Sequence, residues 1–336
     1  MSKGFLMIDG IKLFGTRATL PTDEKKQTIK GLHFYKDSFG SYAINGSIHK
    51  YYNDGKQNAD DFYYTNLVEA VYKFCKEFDI EPIASRVSRV EAGVNLPIDN
   101  VDEVLDSIIL YKNQIGNFDS IGRSFSFSDY ALKLYAKTPN ILRVEVKAKS
   151  KRFLKRNKIH VTSLDDLLLE TVLNALRQLL IKTFEGVTII HLSDDKVSQL
   201  NAKDVLIYKD YSNPIYWNRL DRTNKKKFQR ERAKCRKFIK SVGGIDLKEV
   251  LLKKIESKSF ELLNFKELDM DKIIDKSNEN KKGEMGKMSY IDYSRTKWTL
   301  SISLKDKNST INIPLIYNLD EIIKESRRAV LFLNVA

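Results

Sequence analysis

Cysteine and histidine are scarce in this sequence of 336 residues, which contains two cysteines and four histidines. Cys75 and Cys235 lie in unrelated contexts, which excludes a disulfide framework and a cysteine-based zinc site and is typical of a reducing cytoplasm. None of the histidines forms a His-x-His or HExxH pattern, which excludes the commonest histidine-based metal motifs. These histidines are His33, His49, His160 and His191.

Long apolar runs and phosphate-binding loops are also missing. No run approaches the roughly 20 residues that a membrane-spanning helix needs. Asp9 interrupts the apolar stretch near the N-terminus, so we expect no secretion signal and a cytoplasmic protein. The sequence contains neither GxxxxGK[ST] nor GxGxxG, so we expect no bound nucleoside triphosphate or dinucleotide.

Positive charge is abundant. The formal net charge is +14, with 58 Lys and Arg against 44 Asp and Glu. This excess favours a polyanionic partner, either nucleic acid or an acidic membrane surface. The basic segments lack the strongly apolar opposing face that inserts into lipid, so nucleic acid is the better interpretation and we expect no membrane partner.

Hydrophobic periodicity predicts an α+β fold in which an antiparallel sheet carries helices on one face, followed by a mostly helical C-terminal region. Alternation predicts strands over 6–14, 30–36, 41–52, 84–96, 120–128, 130–137 and 141–149. The turn 138–140 joins the last two strands into a hairpin. Helical spacing predicts helices over 63–78, 100–112 and 163–184, with a capping box of Ser163 and Asp166 before the last.

With 336 residues, the chain is long enough for two domains of ordinary size. We expect a sheet domain over 1–160 and a basic helical region over 161–275. Residues 276–336 would form a polar linker, a small hairpin over 298–304 and 310–317, and a helix near 319–329.

One tyrosine stands between lysines on a predicted strand. In YALKLYAK (130–137), alternation places Lys133, Tyr135 and Lys137 on one face. The cations would favour a phenolate nucleophile and hold a phosphate beside it. The alternative is an ordinary amphipathic surface tyrosine. Tyr130 falls on the opposite face and is a poorer candidate.

The tripeptide Arg-Val-Glu occurs twice, at 89–91 and 143–145. If the two strands are neighbours, Glu91 and Glu145 converge on one face and would suit Mg²⁺ or Mn²⁺. His49 shares a strand face with Asn45 and Ser47 and is a candidate third ligand. Cross-strand ion pairs are the alternative, and the pattern alone favours them.

A basic segment with an apolar stripe follows in the helical region. Ten residues of 222–240 are Lys or Arg, while Phe228, Cys235, Phe238 and Ile239 recur at helical spacing. Such a face is typical of binding to a phosphate backbone, and a solvated helix is the alternative.

The order of these motifs resembles the replication initiators of filamentous phages, the gene II/gene X family, and related rolling-circle plasmid initiators. The motifs are MIDGIKL, SRVEAGV, LKLYAK and LRVEVKAKSKRFLK, within residues 7–175. Glu91 stands where that family commonly has an aspartate, and the C-terminal third matches only loosely.

The resemblance implies a nicking and strand-transfer domain over 1–160 in which Tyr135 attacks a phosphodiester of origin DNA. It implies a 5′-phosphotyrosine link, a free 3′-OH that primes a host polymerase, later religation, and a divalent ion on Glu91 and Glu145. Lys133 and Lys137 would assist, and a host helicase is a further expected partner in the bacterial cytoplasm. A non-catalytic DNA-binding regulator of phage or plasmid replication is the alternative function.

We expect both double-stranded and single-stranded DNA to contact the basic residues. These are Arg89, Arg143, Lys147, Lys149, Arg152, Lys155, Lys225, Lys226, Lys227, Arg230 and Arg232.

Overall fold

Most of the chain is described in the computed structural model. It covers residues 7–15, 25–39, 41–112, 114–119, 122–243, 247–262, 291–294, 297–303 and 310–314. The chain divides into two compact units, Met1–Phe265 and Lys266–Ala336. The predicted linker and the helix predicted near 319–329 lie outside the described residues.

The first unit contains twelve strands and ten α-helices among its described residues. The strands are β1 (Met7–Gly15), β2 (Lys26–Ile29), β3 (Leu32–Lys36), β4 (Tyr42–Ser47), β5 (Arg86–Pro97), β6 (Ile108–Tyr111), β7 (Gln114–Ile115), β8 (Asn117–Asp119), β9 (Gly122–Ser126), β10 (Tyr130–Thr138), β11 (Ile141–Ala148) and β12 (Val187–Ile189). The helices are α1 (Ile48–Tyr52), α2 (Tyr64–Phe78), α3 (Val101–Ser107), α4 (Lys151–Arg156), α5 (Glu170–Phe184), α6 (Asp194–Ser198), α7 (Ala202–Ser212), α8 (Pro214–Thr223), α9 (Lys225–Ser241) and α10 (Leu247–Glu261).

Nine strands form one sheet in the order β2-β3-β4-β1-β5-β11-β10-β9-β8. Every neighbouring pair runs antiparallel. α2 covers the apolar face at β3, where Phe34 contacts Phe74 and Phe78, and α5 covers it at β5 and β11. The predicted α+β class, with an antiparallel sheet and helices on one face, is confirmed, and helices α5–α10 follow it.

Strand β11 is buried on both faces. Its apolar side chains, Leu142, Val144 and Val146, lie in the core as alternation predicts. Arg143 and Glu145 on the opposite face are also buried, at 0 % and 1 % exposure. A surface strand would leave these charges in water, so the polar face of this strand is an interior polar site.

Two predicted elements end earlier than expected. The predicted strand 41–52 stops at Ser47, whose hydroxyl accepts a hydrogen bond from the Lys50 amide and caps α1. The predicted helix 100–112 stops at Ser107, because the buried run Ile108–Tyr111 pairs with β12 as strand β6. A short apolar run fits either structure until a partner strand selects one.

The predicted helix 163–184 is divided. The Asp166 carboxylate accepts hydrogen bonds from the amides of Thr162 and Ser163 at 2.7 and 3.0 Å, so the predicted contact between Ser163 and Asp166 forms. It begins a short 3₁₀ helix, Asp165–Leu168, and Leu169 is extended before α5 starts. The carboxylate therefore satisfies amides that precede the 3₁₀ helix rather than those at the start of α5.

A second core lies under the basic helix. Trp217 of α8 is fully buried against Tyr211 and Phe228, and its indole N–H donates to the Tyr211 carbonyl at 2.7 Å. Buried Phe228 and Cys235, with partly buried Phe238 and Ile239, form the predicted apolar stripe of α9.

The second unit contains a three-stranded antiparallel sheet, β13 (Ile291–Ser294), β14 (Lys297–Ser303) and β15 (Thr310–Pro314). The antiparallel pairing of β14 with β15 is the predicted hairpin. No helix within the described part of the chain is long and apolar enough to cross a membrane.

Phe228→Ala should lower the free energy of unfolding by about 3–5 kcal/mol, because it leaves a cavity beside Trp217. Ile215→Ala is the control, since Ile215 is 67 % exposed, and should change stability by less than about 0.5 kcal/mol. Urea denaturation followed by circular dichroism measures both. Equal effects would mean that α9 does not pack on this core.

Candidate active site

The central strands bring the two glutamates together. β11 lies between β10 and β5, so Glu145 faces Lys133 across one pair and Lys147 faces Glu91 across the other. The repeated Arg-Val-Glu tripeptides therefore lie on neighbouring antiparallel strands, and their carboxylates share the polar face.

Both carboxylates bind one ammonium group. Lys133 Nζ lies 3.0 Å from Glu91 Oε2 and 2.9 Å from Glu145 Oε1. Lys147 forms a second ion pair with Glu91. A Cβ atom at Gly10 would lie 2.9 Å from the Glu91 carboxyl carbon, so only glycine leaves room for this side chain on β1. The ion pairs expected as the alternative to a metal site are present.

The environments of the two carboxylates differ. Burial raises the pKa of Glu145 above its usual range, and Lys133 only partly opposes this effect. Burial also disfavours the charge on Glu91, but a hydrogen bond to Glu145 and the charges of Lys133 and Lys147 outweigh it and lower its pKa. A proton shared by the pair therefore resides on Glu145.

Tyr135 contacts this pair. Its hydroxyl donates to Glu145 Oε2 at 3.3 Å, and Lys137 Nζ lies 5.7 Å from its ring centroid. The lysines were expected to favour the phenolate. Instead, burial and then the Glu145 charge raise the pKa of Tyr135, and Arg143 only partly offsets them. The resting side chain is a neutral phenol.

Lys137 is held by the loop that follows α1. Its ammonium donates to Asn58 Oδ1 at 2.6 Å. Burial and then the Arg143 charge lower the pKa of Lys137 to about 8. This lysine is therefore cationic below about pH 8 and increasingly neutral above it.

Arg143 has no exposed surface. Its Nε donates to Asn95 Oδ1 at 2.7 Å, its Nη1 to Asp9 Oδ2 at 2.9 Å, and its Nη2 to the Asn58 carbonyl. The predicted phosphate contact is corrected here, because the guanidinium is enclosed by three partner groups on β1, β5 and a loop and has no surface to offer DNA. Arg143 is a structural group.

Three polar residues, Asp9, Asn58 and Asn95, join the site without having been identified as site residues. Asp9 Oδ1 accepts from Ser47 Oγ at 2.5 Å and from Asn58 Nδ2 at 2.8 Å. Asn95 Nδ2 donates to the Ala59 carbonyl at 2.9 Å, which holds the same loop. Asp9 lies in the Met-Ile-Asp motif, but Asn58 lies in a segment whose composition indicates only a polar loop.

His49 does not lie with the glutamates. Its ring is fully buried and stacks on Phe62, with centroids 4.5 Å apart. Nε2 is 2.9 Å from Asp60 Oδ1, but the alignment is not that of a hydrogen bond. Burial lowers the pKa of His49 more than Asp60 raises it, so the ring is neutral. Its inclusion with Glu91 and Glu145 is corrected, because the chain enters α1 at residue 48.

The convergence of the Glu91 and Glu145 carboxylates partly fits a divalent ion. Two carboxylates converge on a single cation, and such oxygens are the ligands that Mg²⁺ and Mn²⁺ prefer. The cation between them is the Lys133 ammonium, so a metal at this point would replace it. Within the described ranges, no group of three or more His, Cys, Asp or Glu side chains could hold a metal ion.

The other predicted DNA-binding residues of the sheet domain differ in availability. Arg89 donates to Asn45 at 3.2 Å, and Lys149 to Ser126 at 2.6 Å. Arg152 is exposed but pairs with Asp129 at 2.8 Å. The remaining two are Lys147, which pairs with Glu91, and Lys155, which is exposed.

Helix α9 has a cationic outer face. Its exposed residues include Lys225, Lys226, Lys227 and Arg230. Arg232 is instead half-buried and donates to the carbonyls of Lys112 and Gly186 at 3.3 and 3.4 Å, so its predicted DNA contact is corrected to a tertiary one.

In comparisons with known proteins, no family model matches the chain, and no curated protein or solved structure matches it either. The resemblance to phage initiators therefore stays a prediction that rests on short motifs and their order.

Arg143→Met should lower the free energy of unfolding by about 3–5 kcal/mol, because it leaves Asp9 buried without its cation. Lys155→Met removes the same charge from an exposed site and should change stability by less than about 0.5 kcal/mol. Adding Asp9→Asn to Arg143→Met should recover part of the loss. Chemical denaturation measures all three variants. Unchanged stability with weakened DNA binding would restore Arg143 to the DNA-binding set.

Proposed function

We propose that this chain initiates rolling-circle replication by nicking one strand of an origin through Tyr135. The observation that carries the proposal is the hydrogen bond from the Tyr135 hydroxyl to Glu145, on a sheet face that also presents Lys133 and Lys137. A nucleophile, a proton acceptor and cations suited to a phosphate would thus lie side by side on one face of the sheet. The order of motifs along the chain supports the same function.

In this proposal, Tyr135 forms a 5′-phosphotyrosine link and releases a 3′-OH that a host polymerase extends. The tyrosyl ester keeps the bond energy for religation, so the reaction needs no ATP. Protonated Lys137 would neutralise the phosphate, and Lys133 would stabilise the negative charge that develops on the phosphate. Arg143 would instead hold the strands in register.

The proposal retains a divalent ion as cofactor. Glu91 and Glu145 would hold Mg²⁺ or Mn²⁺ once the Lys133 side chain, which is 30 % exposed, turns towards the phosphate. A bound ion would supply electrostatic stabilisation of the developing charge.

The proposal assigns duplex origin DNA to the outer face of α9 and single-stranded DNA to the sheet face. The exposed cations of α9 support phosphate-backbone contacts, and its buried stripe supports a rigid presentation of them. A host helicase and the bacterial cytoplasm belong to the same proposal.

A non-catalytic DNA-binding regulator is the second candidate. One observation favours it: both glutamates are already paired with lysines, as structural ion pairs would be. The same basic helix would serve either function, so activity has to separate them.

Tyr135→Phe should abolish nicking and leave DNA binding unchanged, because it removes the attacking oxygen and keeps the ring. The substrate is a supercoiled plasmid carrying this gene and its flanking region, with Mg²⁺ or Mn²⁺. Gel analysis should show nicked circles with protein on the 5′ end for the wild type only. Tyr130→Phe is the control on the opposite face and should keep activity if the protein folds. Equal nicking by Tyr135→Phe would exclude this nucleophile, and a gel shift without nicking by the wild type would favour the regulator.

The double variant Lys226→Ala/Arg230→Ala should weaken duplex binding and reduce the slope of log K against log salt by about 1.8, since each lost phosphate contact removes about 0.9. Lys182→Ala/Lys203→Ala removes two exposed cations from other helices and should leave the slope unchanged. Fluorescence anisotropy at several salt concentrations measures both. Equal slopes for the two variants would show a response to net charge alone.

A further inference from the structure

The polar face of the sheet continues from the candidate active site across β5, β1, β4, β3 and β2. On these strands, cross-strand pairing arranges the residues of this face in two rows. One row contains Lys26, Tyr35, Ala43, Phe14 and Arg86, and the other contains Thr28, His33, Asn45, Lys12 and Arg89. We propose that these residues, the outer platform, bind single-stranded DNA by stacking its bases, an inference that deepens the proposed function and rests on it.

The outer platform is accessible, whereas the opposite face of the same strands is not. Tyr35 is 44 % exposed, and Lys26 and His33 are exposed as well. The alternate residues, such as Phe34 and Ile44, are buried in the core. These strands therefore present an aromatic ring to solvent in addition to the apolar side chains that they bury.

Two aromatic rings lie on either side of an alanine. Tyr35 on β3 and Phe14 on β1 both pair with Ala43 on the intervening strand β4. Neighbouring strands are about 4.8 Å apart, so the backbones that carry the two rings are about 9.6 Å apart. A base between two rings needs about 7 Å, since stacked bases lie about 3.4 Å apart. Because the Ala43 side chain is only a methyl group, one base fits between the rings.

The charges of the outer platform suit a phosphate backbone. Neither row contains Asp or Glu, whereas each row contains one lysine and one arginine. Lys12 Nζ lies 5.0 Å from the centroid of the Phe14 ring, which brings a cation next to the proposed base site. Cations beside aromatic rings are the combination with which proteins hold single strands without reading their sequence.

A single strand fits the outer platform better than a duplex does. The bases of a duplex stack on one another, whereas unpaired bases are free to stack on aromatic side chains. The platform also adjoins the candidate active site, because Arg89 lies two positions before Glu91 on the same face of β5. A single strand held at Tyr135 therefore continues onto the platform.

The test measures binding of a labelled oligothymidylate of about 16 nucleotides by fluorescence anisotropy, without divalent ions. Tyr35→Ala should weaken binding by about 5–150-fold, which corresponds to the loss of about 1–3 kcal/mol of stacking. Tyr35→Phe keeps the ring and should bind as the wild type does. Ala43→Leu keeps both rings but fills the space between them, and it should also weaken binding.

Phe260→Ala is the matched control, since Phe260 on α10 is also 44 % exposed, and it should leave the affinity unchanged. Binding of a blunt duplex should be the same for every variant, and thermal unfolding checks that each variant folds. Equal affinities of the wild type, Tyr35→Ala and Ala43→Leu for the single strand would overturn the platform, as would a wild type that does not bind it. Ring-dependent binding by a wild type that forms no nicked circles would support the platform and overturn the nicking function instead.

Discussion

The enclosed Arg143 guanidinium is the constraint on which the polar face of the sheet depends. A charge without access to water is stable only when hydrogen-bonding partners replace its hydration. Those partners come from three separate parts of the chain: Asp9 on β1, Asn95 on β5 and Asn58 in the loop after α1. Satisfying one side chain therefore sets the relative positions of two strands and the loop. The Asn58 side chain also accepts a hydrogen bond from the Lys137 ammonium, which places that cation beside the Tyr135 ring.

A second cation organises the reactive groups. Lys133 binds one oxygen of each glutamate, and this leaves Glu145 Oε2 for the Tyr135 hydroxyl. Burial raises the pKa of Glu145, whereas a hydrogen bond to Glu145 and the charges of Lys133 and Lys147 outweigh burial at Glu91 and lower its pKa. Two residues of the same type thus differ: Glu91 is a charged partner of two lysines, and Glu145 accepts the Tyr135 hydrogen bond. Arg143, which is fully enclosed, determines the positions of the strands and the loop. Lys133, which is partly accessible, holds the groups of the proposed chemistry together.

The cations of helix α9 also differ in burial, and they fall into two sets. Phe228 and Cys235 turn one side of the helix into the second core, and Arg232 on that side donates to backbone carbonyls. The remaining cations, such as Lys226 and Arg230, face solvent. A high local content of Lys and Arg is therefore not one uniform DNA-binding surface, because the cations near the apolar stripe stabilise the fold and those opposite it are available to a polyanion.

Local pattern alone was sufficient for strands β5, β10 and β11 and for the shared face of Lys133, Tyr135 and Lys137, because a period of two residues is a property of the extended chain itself. It also determined the buried stripe of α9. The burial of that polar face was decided only by tertiary structure, since Arg143 meets Asp9 across 134 positions of sequence. Likewise, the separation of His49 from the glutamates and the recruitment of Asn58 follow from where α1 begins and where its loop crosses the sheet. Periodicity describes how side chains alternate along one element, whereas the partners of a buried charge depend on strand order and loop path, which no short stretch of sequence contains.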